Sequence, residues 1–176
     1  MAQYDNLSEL LLDLNHLDKP VREAALVALV GLGSEVVPPL VEGFDRIDGP
    51  ARLYVIRAFG LIGDPRAVSL LLELMAGDSL EEYVFVSSLA AKSLGQIGDE
   101  AAVEGLVGLL GHERSGPRRM AATVLGNIGS AQAVPGLIDA LGDPDPQTRV
   151  LSARALEQIG TPRAIAAVAV WRERQD

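Results

Sequence analysis

The chain has 176 residues, of which 48% are hydrophobic and only 4% aromatic, so its apolar content is mostly aliphatic, as in ordered proteins. The absence of cysteine excludes disulfides, thiolate catalysis and cysteine-based zinc or iron–sulfur sites. The net charge of −9, from 24 acidic against 15 basic residues, repels phosphate backbones and anionic membranes. Neither nucleic acid nor a membrane is therefore an expected partner.

The N-terminal segment MAQYDNLSELLLDLNHLD places acids among its leucines and has no basic stretch before an apolar core. It therefore lacks the pattern of a signal peptide. No apolar run approaches the ~20 residues that a membrane-spanning helix needs. Together with the absence of cysteine, these features predict a soluble, cytoplasmic protein.

A short phrase recurs along the chain and closes each time with a glycine. It reads LVGLGS, FGLIGD, LGQIGD, LGNIGS and LEQIGT, and its glycines are Gly33, Gly63, Gly98, Gly129 and Gly160. The glycines are 30, 35, 31 and 31 residues apart, and eleven residues before them stand Arg22, Arg52, Ser87, Arg118 and Arg149. A period of this length predicts an array of similar supersecondary units.

Each unit is predicted to contain two helices. In chain order, the second helices are expected near 19–32, 50–62, 80–97, 117–128 and 146–159, each after a shorter first helix such as 133–141. Pro144 and Pro146 break the chain between the two helices of the last unit, and Gly160 ends its second helix in a left-handed conformation. The residues after four of the glycines are expected to cap the next helix: Asp64, Asp99, Ser130 and Thr161.

The pattern D-P-x-x-x-V-R-x-x-A-A-x-x-L-G-x-I-G-D-x-x-A-V resembles HEAT repeats, of the short kind first described in phycobilisome lyases. The resemblance covers nearly the whole chain. It implies an all-α fold, a right-handed α-solenoid of about five HEAT-like two-helix repeats plus a closing C-terminal helix, in a single domain spanning 1–176. The repeats are placed at 4–33, 34–63, 64–98, 99–129 and 130–160, with the closing helix at 161–174.

Residues of the second helices sort by their offset from the repeated arginine position, at about 100° per residue. Offsets +3, +4, +7 and +10 are apolar in nearly every unit and predict the core stripe. Examples are Val55, Ile56, Phe59 and Ile62 in one unit and Ala121, Ala122, Leu125 and Ile128 in another. Offset +8 is glycine in the three central units (Gly60, Gly95 and Gly126), which predicts close helix packing because a mid-helix glycine otherwise costs ~1 kcal/mol.

The opposite side of the second helices falls at offsets +2, +5 and +9, with +1 beside them. In HEAT arrays the second helices line the concave side, so the resemblance implies that these columns run along a groove. An exposed apolar strip with polar neighbours marks an interaction site. The candidate partner-binding residues are Tyr54, Arg57, Leu61, Leu89, Lys92, Gln96, Arg119, Met120, Thr123, Leu151 and Arg154.

Two groups of residues on the second helices can be explained in more than one way. The apolar members of the columns would also be explained if they were half buried against the neighbouring helix. The repeated arginines suggest an anion site, but the resemblance implies a structural role, in which the arginine and an upstream acid tie adjacent units together. These residues are therefore left out of the candidate site: Arg22, Arg52, Arg118, Arg149, Asp18, Asp48 and Asp145.

The third unit carries four extra residues, in the segment 77–88, and has Ser87 where the other units have arginine. Its cluster Tyr83-Val84-Phe85-Val86 has two interpretations: a longer second helix that buries Val84 or Phe85, or a ridge that contacts the partner. In the closing helix, the sole tryptophan, Trp171, is expected to cover the open end of the core while RERQD faces water. An exposed apolar end would instead indicate dimerisation.

The sequence has no Ser-His-Asp set, Walker loop, GxGxxG turn or HExxH motif. His112-Glu113 is similar to the His-Glu pairs that hold iron in HEAT-type deoxyhypusine hydroxylases. The chain has only His16 and His112, however, which is too few for such a dinuclear site. No catalytic residue, cofactor or metal is expected.

These features favour a non-catalytic scaffold or adaptor that binds a partner protein or peptide along the concave face. The alternative, which rests on the resemblance alone, is a phycobilisome-related bilin lyase subunit or an assembly or degradation factor. A third function, DNA or RNA binding, is disfavoured by the net charge of −9.

Overall fold

The computed structural model of the protein describes residues 7–77 and 81–174, with 81–84 described by their backbone alone. Over these ranges it contains eleven α-helices and no strand, which confirms the all-α prediction. Residues 4–6 of the first predicted repeat and 78–80 of the third lie outside the described part.

The helices alternate between a first and a second member of each repeat. In chain order they are α1 Leu7–Leu14, α2 Lys19–Gly31, α3 Val37–Glu42, α4 Gly49–Ile62, α5 Val68–Ala76, α6 Glu81–Ile97, α7 Glu100–Leu109, α8 Ser115–Ile128, α9 Val134–Asp139, α10 Pro146–Ile159 and α11 Pro162–Glu173. The second helices α2, α4, α6, α8 and α10 are all found within two residues of their predicted bounds.

The second helices form one layer, in which each contacts the next along the chain. The first helices form the other layer with the help of short 3-10 turns, and the aliphatic core lies between the layers. Side chains predicted at offsets +3, +4 and +7, such as Val55, Ile56 and Phe59, are fully buried. At offset +10 the predicted core residues Ile62 and Ile128 are only half buried, because each is the last residue of its helix.

The predicted repeat boundaries have the expected backbone chemistry. The closing glycines Gly33, Gly63, Gly98, Gly129 and Gly160 all have positive φ, between 58° and 75°. The four predicted caps are confirmed, because the side chains of Asp64, Asp99, Ser130 and Thr161 each accept a hydrogen bond from a backbone N–H of the next helical turn. These caps satisfy donors that the first turn of a helix leaves free.

The predicted first helix 133–141 is interrupted. Ser130 caps a 3-10 turn at Ala131–Ala133, α9 follows, and a second 3-10 turn occupies Ala140–Gly142. Pro135 lies in the first turn of α9. Since proline is favoured in that turn and disfavoured further inside a helix, the α-helix begins there and the residues before it form a separate turn.

The repeated arginines mostly close turns within their own repeat, which corrects the expectation that they tie adjacent repeats together. Arg22 Nη1 donates to the Leu17 carbonyl at 2.7 Å, and Arg149 Nη1 donates to the Asp143 carbonyl at 2.8 Å. Of the upstream acids, Asp145 caps α10, whereas Asp18 and Asp48 make no capping bond with their side chains. The arginines bind within their own repeat because the guanidinium of a residue on the first turn of the second helix lies beside the carbonyls five and six residues earlier in the chain.

Other polar contacts tie neighbouring repeats. Arg66 Nη2 donates to the Ser34 carbonyl at 2.9 Å, and Ser93 Oγ donates to the Ile56 carbonyl at 2.8 Å. Arg118 is the exception among the repeated arginines, because it also pairs with Asp143 of the next repeat.

The closing helix α11 covers the end of the core as expected. Ala164 and Val168 are buried, and Trp171 is half buried against the core, while Arg172 to Arg174 are exposed. Ile165 and Val170 remain 48% exposed on its outer side. Within the described ranges no single helix is long and apolar enough to cross a membrane; α2 and Gly33–Glu42 reach that length only together, bent by 107°.

Candidate partner-binding face

The candidate residues lie together on one surface, the side of α2, α4, α6, α8 and α10 that faces away from the first helices. We call it the second-helix face. Its outer columns, at offsets +5 and +9, are largely exposed, as at Leu61, Lys92, Gln96, Thr123 and Arg154. Its +2 column (Tyr54, Leu89, Met120 and Leu151) is half buried and packs against the core. The face therefore offers a partly exposed apolar strip beside exposed polar residues.

At the N-terminal part of this face, Tyr54 and Arg57 belong to a cluster around Glu23. The Arg57 guanidinium lies 3.0 Å from the Glu23 carboxylate, and the Tyr54 hydroxyl donates to the same oxygen at 3.2 Å. Hydrogen bonding from Arg57 lowers the pKa of Glu23 below its usual value. The charge of Arg57 is thus already matched within the chain.

Glu23 was missed by the sequence reasoning. It stands at offset +1 of the first repeat, the position of Arg119 in the fourth, so a comparison of the residues at offset +1 could have identified it. Because neighbouring second helices lie side by side, a residue at +1 of one repeat reaches offset +5 of the next. The cations of this face can therefore be sorted by whether an acid stands at that position.

The other cations of the face differ from Arg57. Arg119 Nε lies 3.9 Å from the Asp145 carboxylate, at the limit of an ion pair, and is 42% exposed. Lys92 and Arg154 are exposed and form no ion pair within the described part of the chain. Hydrogen bonding from Thr148 lowers the pKa of Asp145, and Arg119 adds to this effect.

The five second helices meet along four seams on this face, and glycine closes two of them. A methyl group at Gly60 of α4 would lie 2.8 Å from the Cα of Ser93 in α6, and one at Gly126 of α8 would lie 2.8 Å from the Cα of Ala155 in α10. Such contacts with backbone atoms leave no room for a side chain. The close-packing prediction is confirmed at these two glycines.

The prediction is wrong at Gly95, where the seam between α6 and α8 is wider. The nearest atom to a methyl group there would be Cγ1 of Val124, at 3.7 Å, an ordinary van der Waals distance. Val124 occupies offset +6, the position of Ser93 and Ala155 at the two seams that glycine closes. Because valine is branched at Cβ, it holds α8 away from α6 where serine and alanine let the helices touch.

Open clefts lie along this wider seam. One, of about 410 Å³, is lined by Met75, Gly77, Ser87, Arg114, Gly116, Pro117, Arg119, Met120, Thr123 and Leu151. The next, of about 400 Å³, is lined by Ser88, Ala91, Lys92, Gly95, Gln96, Met120, Thr123, Val124 and Asn127. Met120 and Thr123 line both, so the clefts continue past Met120 along α8. Six of the eleven candidate residues line them.

The extra segment of the third repeat lengthens α6 to 17 residues, against 14 for α4, α8 and α10. Val86 is buried, whereas Phe85 is 72% exposed, so the interpretation that buries Phe85 is wrong. The side chains of Tyr83 and Val84 lie outside the described residues. Phe85 is therefore an exposed aromatic side chain on α6.

The described residues contain no group of three or more His, Asp or Glu side chains that could hold a metal ion. His112 Nδ1 accepts a hydrogen bond from the backbone N–H of Arg114 at 3.1 Å, which gives that ring nitrogen a role in the turn before α8.

The chain matches the family described as HEAT repeats over residues 5–84, 48–123 and 109–175. Over 73 residues it is 40% identical to phycocyanobilin lyase subunit beta of Nostoc sp. (strain PCC 7120), and the match covers 42% of this chain and 35% of that subunit. The chain thus spans about a third of this curated relative.

Among solved structures, the chain is similar to one described as the complex of CpcE and CpcF of phycocyanin lyase from Nostoc sp. PCC7120. The TM-score is 0.59 at 25% identity, covering 84% of this chain and 96% of that chain. Human deoxyhypusine hydroxylase in complex with glycerol shares the fold, with a TM-score of 0.53 at 19% identity over 96% of this chain and 90% of that one. The chain belongs to the HEAT-repeat family and is related to phycocyanobilin lyase subunits.

Proposed function

We propose that this chain is a protein-binding subunit of a bilin-lyase type of assembly. It pairs with a second protein, binds partner protein along the second-helix face and contributes to attaching a bilin to a phycobiliprotein. The chain supplies a shaped surface for this task, and the reaction needs the complete assembly.

The similarity to a chain of the CpcE–CpcF complex carries this proposal. The similarity extends over 96% of that chain, so it covers a whole folded unit and not one isolated repeat. That structure is a complex of two different proteins, which supports a protein partner for this chain as well. The second-helix face supports the same function, because a partly exposed apolar strip beside exposed cations is typical of an interaction surface.

The experiment mixes phycocyanobilin and apo-phycocyanin with this chain, alone and together with either CpcE or CpcF of Nostoc. CpcE and CpcF together are the positive control. We expect this chain to form a complex with one of the two and to restore covalent bilin attachment, seen as an absorbance shift that survives denaturation. Neither pairing nor attachment in any mixture would count against the proposal.

A second candidate is an adaptor unconnected with pigment attachment. It is favoured by the short span of the sequence match, which reaches only 35% of the lyase subunit. Here the second-helix face would grip a peptide or folded partner, and no bilin would take part.

Affinity capture from the source cells tests this candidate with a Leu89→Glu/Met120→Glu variant. A matched control is Ser69→Glu/Ala131→Glu, which adds the same charge at exposed positions of the first-helix layer. A protein retained by the wild type and the control but lost by the variant supports the adaptor function. Retention by all three, or by none, contradicts it.

A further inference from the structure

The wider seam between α6 and α8 has an unusual charge for this protein. The chain has 24 acidic and 15 basic residues, yet the described residues that line the two clefts include three cations and no acid. Two of these cations, Lys92 and Arg119, belong to the second-helix face. Arg154 stands two repeats further along the same column as Lys92. Among the described residues, Lys92 has no ion-pair partner of the kind that Glu23 provides for Arg57, and Arg119 has only Asp145, 3.9 Å away.

The walls between these cations are mostly apolar. Ala91, Gly95 and Val124 line the second cleft, and Met120 lines both clefts. A volume of about 400 Å³ for the second cleft falls within the ~300–1,000 Å³ of ligand pockets. Met120 is unbranched and adapts to different neighbouring shapes. The seam therefore combines an apolar slot with a cationic rim.

We propose that the seam between α6 and α8 binds an acidic segment of the partner protein, with a bulky apolar side chain inserted beside Met120 and carboxylates on Lys92 and Arg119. The inference rests on the proposed function in one respect only, that the second-helix face binds protein. It adds the chemistry of the segment and the place where it binds. Charge complementarity selects this occupant, because a cationic segment would meet Lys92 and Arg119 at clefts whose described lining includes no acid.

The segment is expected at the seam between α6 and α8, and not at the seams on either side of it, because this seam is wider. At Gly60 and Gly126 the helix backbones touch, and the side-chain amides of Gln96 and Gln158 fill the remaining space. At Gly95 the corresponding residue is Asn127, which is one methylene shorter and does not reach the glycine. Of the three seams with a glycine at offset +8, a side chain from a partner can therefore enter the one where Val124 replaces a smaller residue and Asn127 replaces a longer one.

The test is a titration of the full ¹⁵N-labelled chain with three synthetic peptides of equal length. The first has a central Phe-Leu pair flanked by glutamates, the second has lysines in place of the glutamates, and the third has alanines in place of the pair. We expect the first peptide to shift amide signals of α6 and α8, with binding that weakens as salt is added. The other two peptides should bind about tenfold more weakly, because the second lacks the carboxylates and the third lacks the bulky apolar pair.

Two variants place the binding at the seam. Lys92→Glu should weaken binding of the acidic peptide about tenfold, since it replaces attraction by repulsion at the rim. Lys19→Glu is the matched control: it makes the same change of charge at the exposed start of α2, away from the seam. Equal binding of the acidic and basic peptides, or equal effects of the two variants, would overturn the proposal.

These results separate the inference from the proposed function. If the chain pairs and supports bilin attachment but does not discriminate among the peptides, only the acidic-segment inference fails. If the acidic peptide binds at the seam but no pairing or attachment occurs, the lyase-type function fails and the seam remains a binding site.

Discussion

The guanidinium of Arg118 forms two parallel hydrogen bonds with the carboxylate of Asp143, with Nε 2.8 Å from Oδ2 and Nη2 2.9 Å from Oδ1. Both side chains are almost fully buried, at 10% and 6% exposure. Nη1 of Arg118 also donates to the carbonyls of His112 and Glu113. One side chain thus holds the turn before α8 against the turn before α10.

Replacing Arg118 by alanine should therefore strongly destabilise the folded chain. It leaves the Asp143 carboxylate buried without its cation, and loss of one partner of a buried pair costs about 3–5 kcal/mol. Arg149→Ala is the control, because that arginine donates only to two carbonyls of its own repeat and should cost about 1 kcal/mol. Urea denaturation measures both free energies of unfolding. Equal losses in the two variants would show that the cross-repeat pair contributes little.

The three mid-helix glycines of the second helices should respond differently to alanine. Gly60→Ala and Gly126→Ala force a methyl group onto a neighbouring helix backbone at 2.8 Å, and we expect each to lose about 1–3 kcal/mol through overpacking. Gly95→Ala meets only Val124 Cγ1 at 3.7 Å and should gain up to about 1 kcal/mol from helix propensity. Thermal denaturation of all three variants measures the difference. Destabilisation by Gly95→Ala equal to that of the other two would mean that the seam is closed.

These glycines illustrate what the sequence could reveal about the fold. The left-handed conformation of Gly160, four caps and the bounds of the second helices follow from local rules of turn and helix chemistry, and the sequence predicted them. The different packing at Gly95 did not follow, because glycine is identical at that position in three repeats. The difference depends on Val124, on the next second helix, and on how far its branched side chain separates the two backbones.

The candidate site was predictable to a similar extent. Helical offsets placed the face correctly because one angle per residue applies to every second helix. The offsets could not identify which cations are already paired, since the link from Glu23 to Arg57 depends on the register between α2 and α4. The arginine-to-carbonyl contacts were likewise misassigned, because the sequence does not give the path of the turn that the guanidinium reaches.

The stability of the chain should depend on pH through Asp64. This carboxylate is 6% exposed, and hydrogen bonds from Arg66 hold its pKa well below the ordinary value. Its stabilising contribution is therefore complete above the unfolded-state pKa of about 3.9 and is lost as the pH falls toward the folded-state value. Asp64→Asn should destabilise the chain at pH 7, and its difference from the wild type should shrink below about pH 4.

Denaturation curves of the wild type and Asp64→Asn between pH 7 and acid measure this difference. Arg66→Ala removes the main cause of the lowered pKa of Asp64. The difference in free energy of unfolding between this variant and the wild type should therefore also shrink as the pH falls over the same range. A difference between wild type and Asp64→Asn that is constant with pH would contradict the assignment. Because Arg66 also donates to the Ser34 carbonyl, the same experiment reports on the contact between the second and third repeats.

The residue at offset +6 should set the width of each seam on the second-helix face. Val124→Ala removes the branched side chain that separates α6 from α8, so α8 should move toward Gly95 and narrow the clefts beside Met120. The reciprocal change, Ala155→Val, should push α10 away from Gly126 and widen the seam between α8 and α10. Crystal structures of both variants measure the helix separations directly.

The two variants should also differ in stability. Val124 is 5% exposed, and its truncation costs about 1–2 kcal/mol, less whatever contact α6 and α8 regain by closing. Ala155→Val overpacks a seam in which the backbones already touch and should cost about 1–3 kcal/mol. If Val124→Ala leaves the seam open as an empty cavity, seam width is set by the turns and not by offset +6. If the seam closes, one side chain controls access to the cationic clefts, and Val124→Ala should weaken binding of the acidic peptide while keeping Lys92 and Arg119 in place.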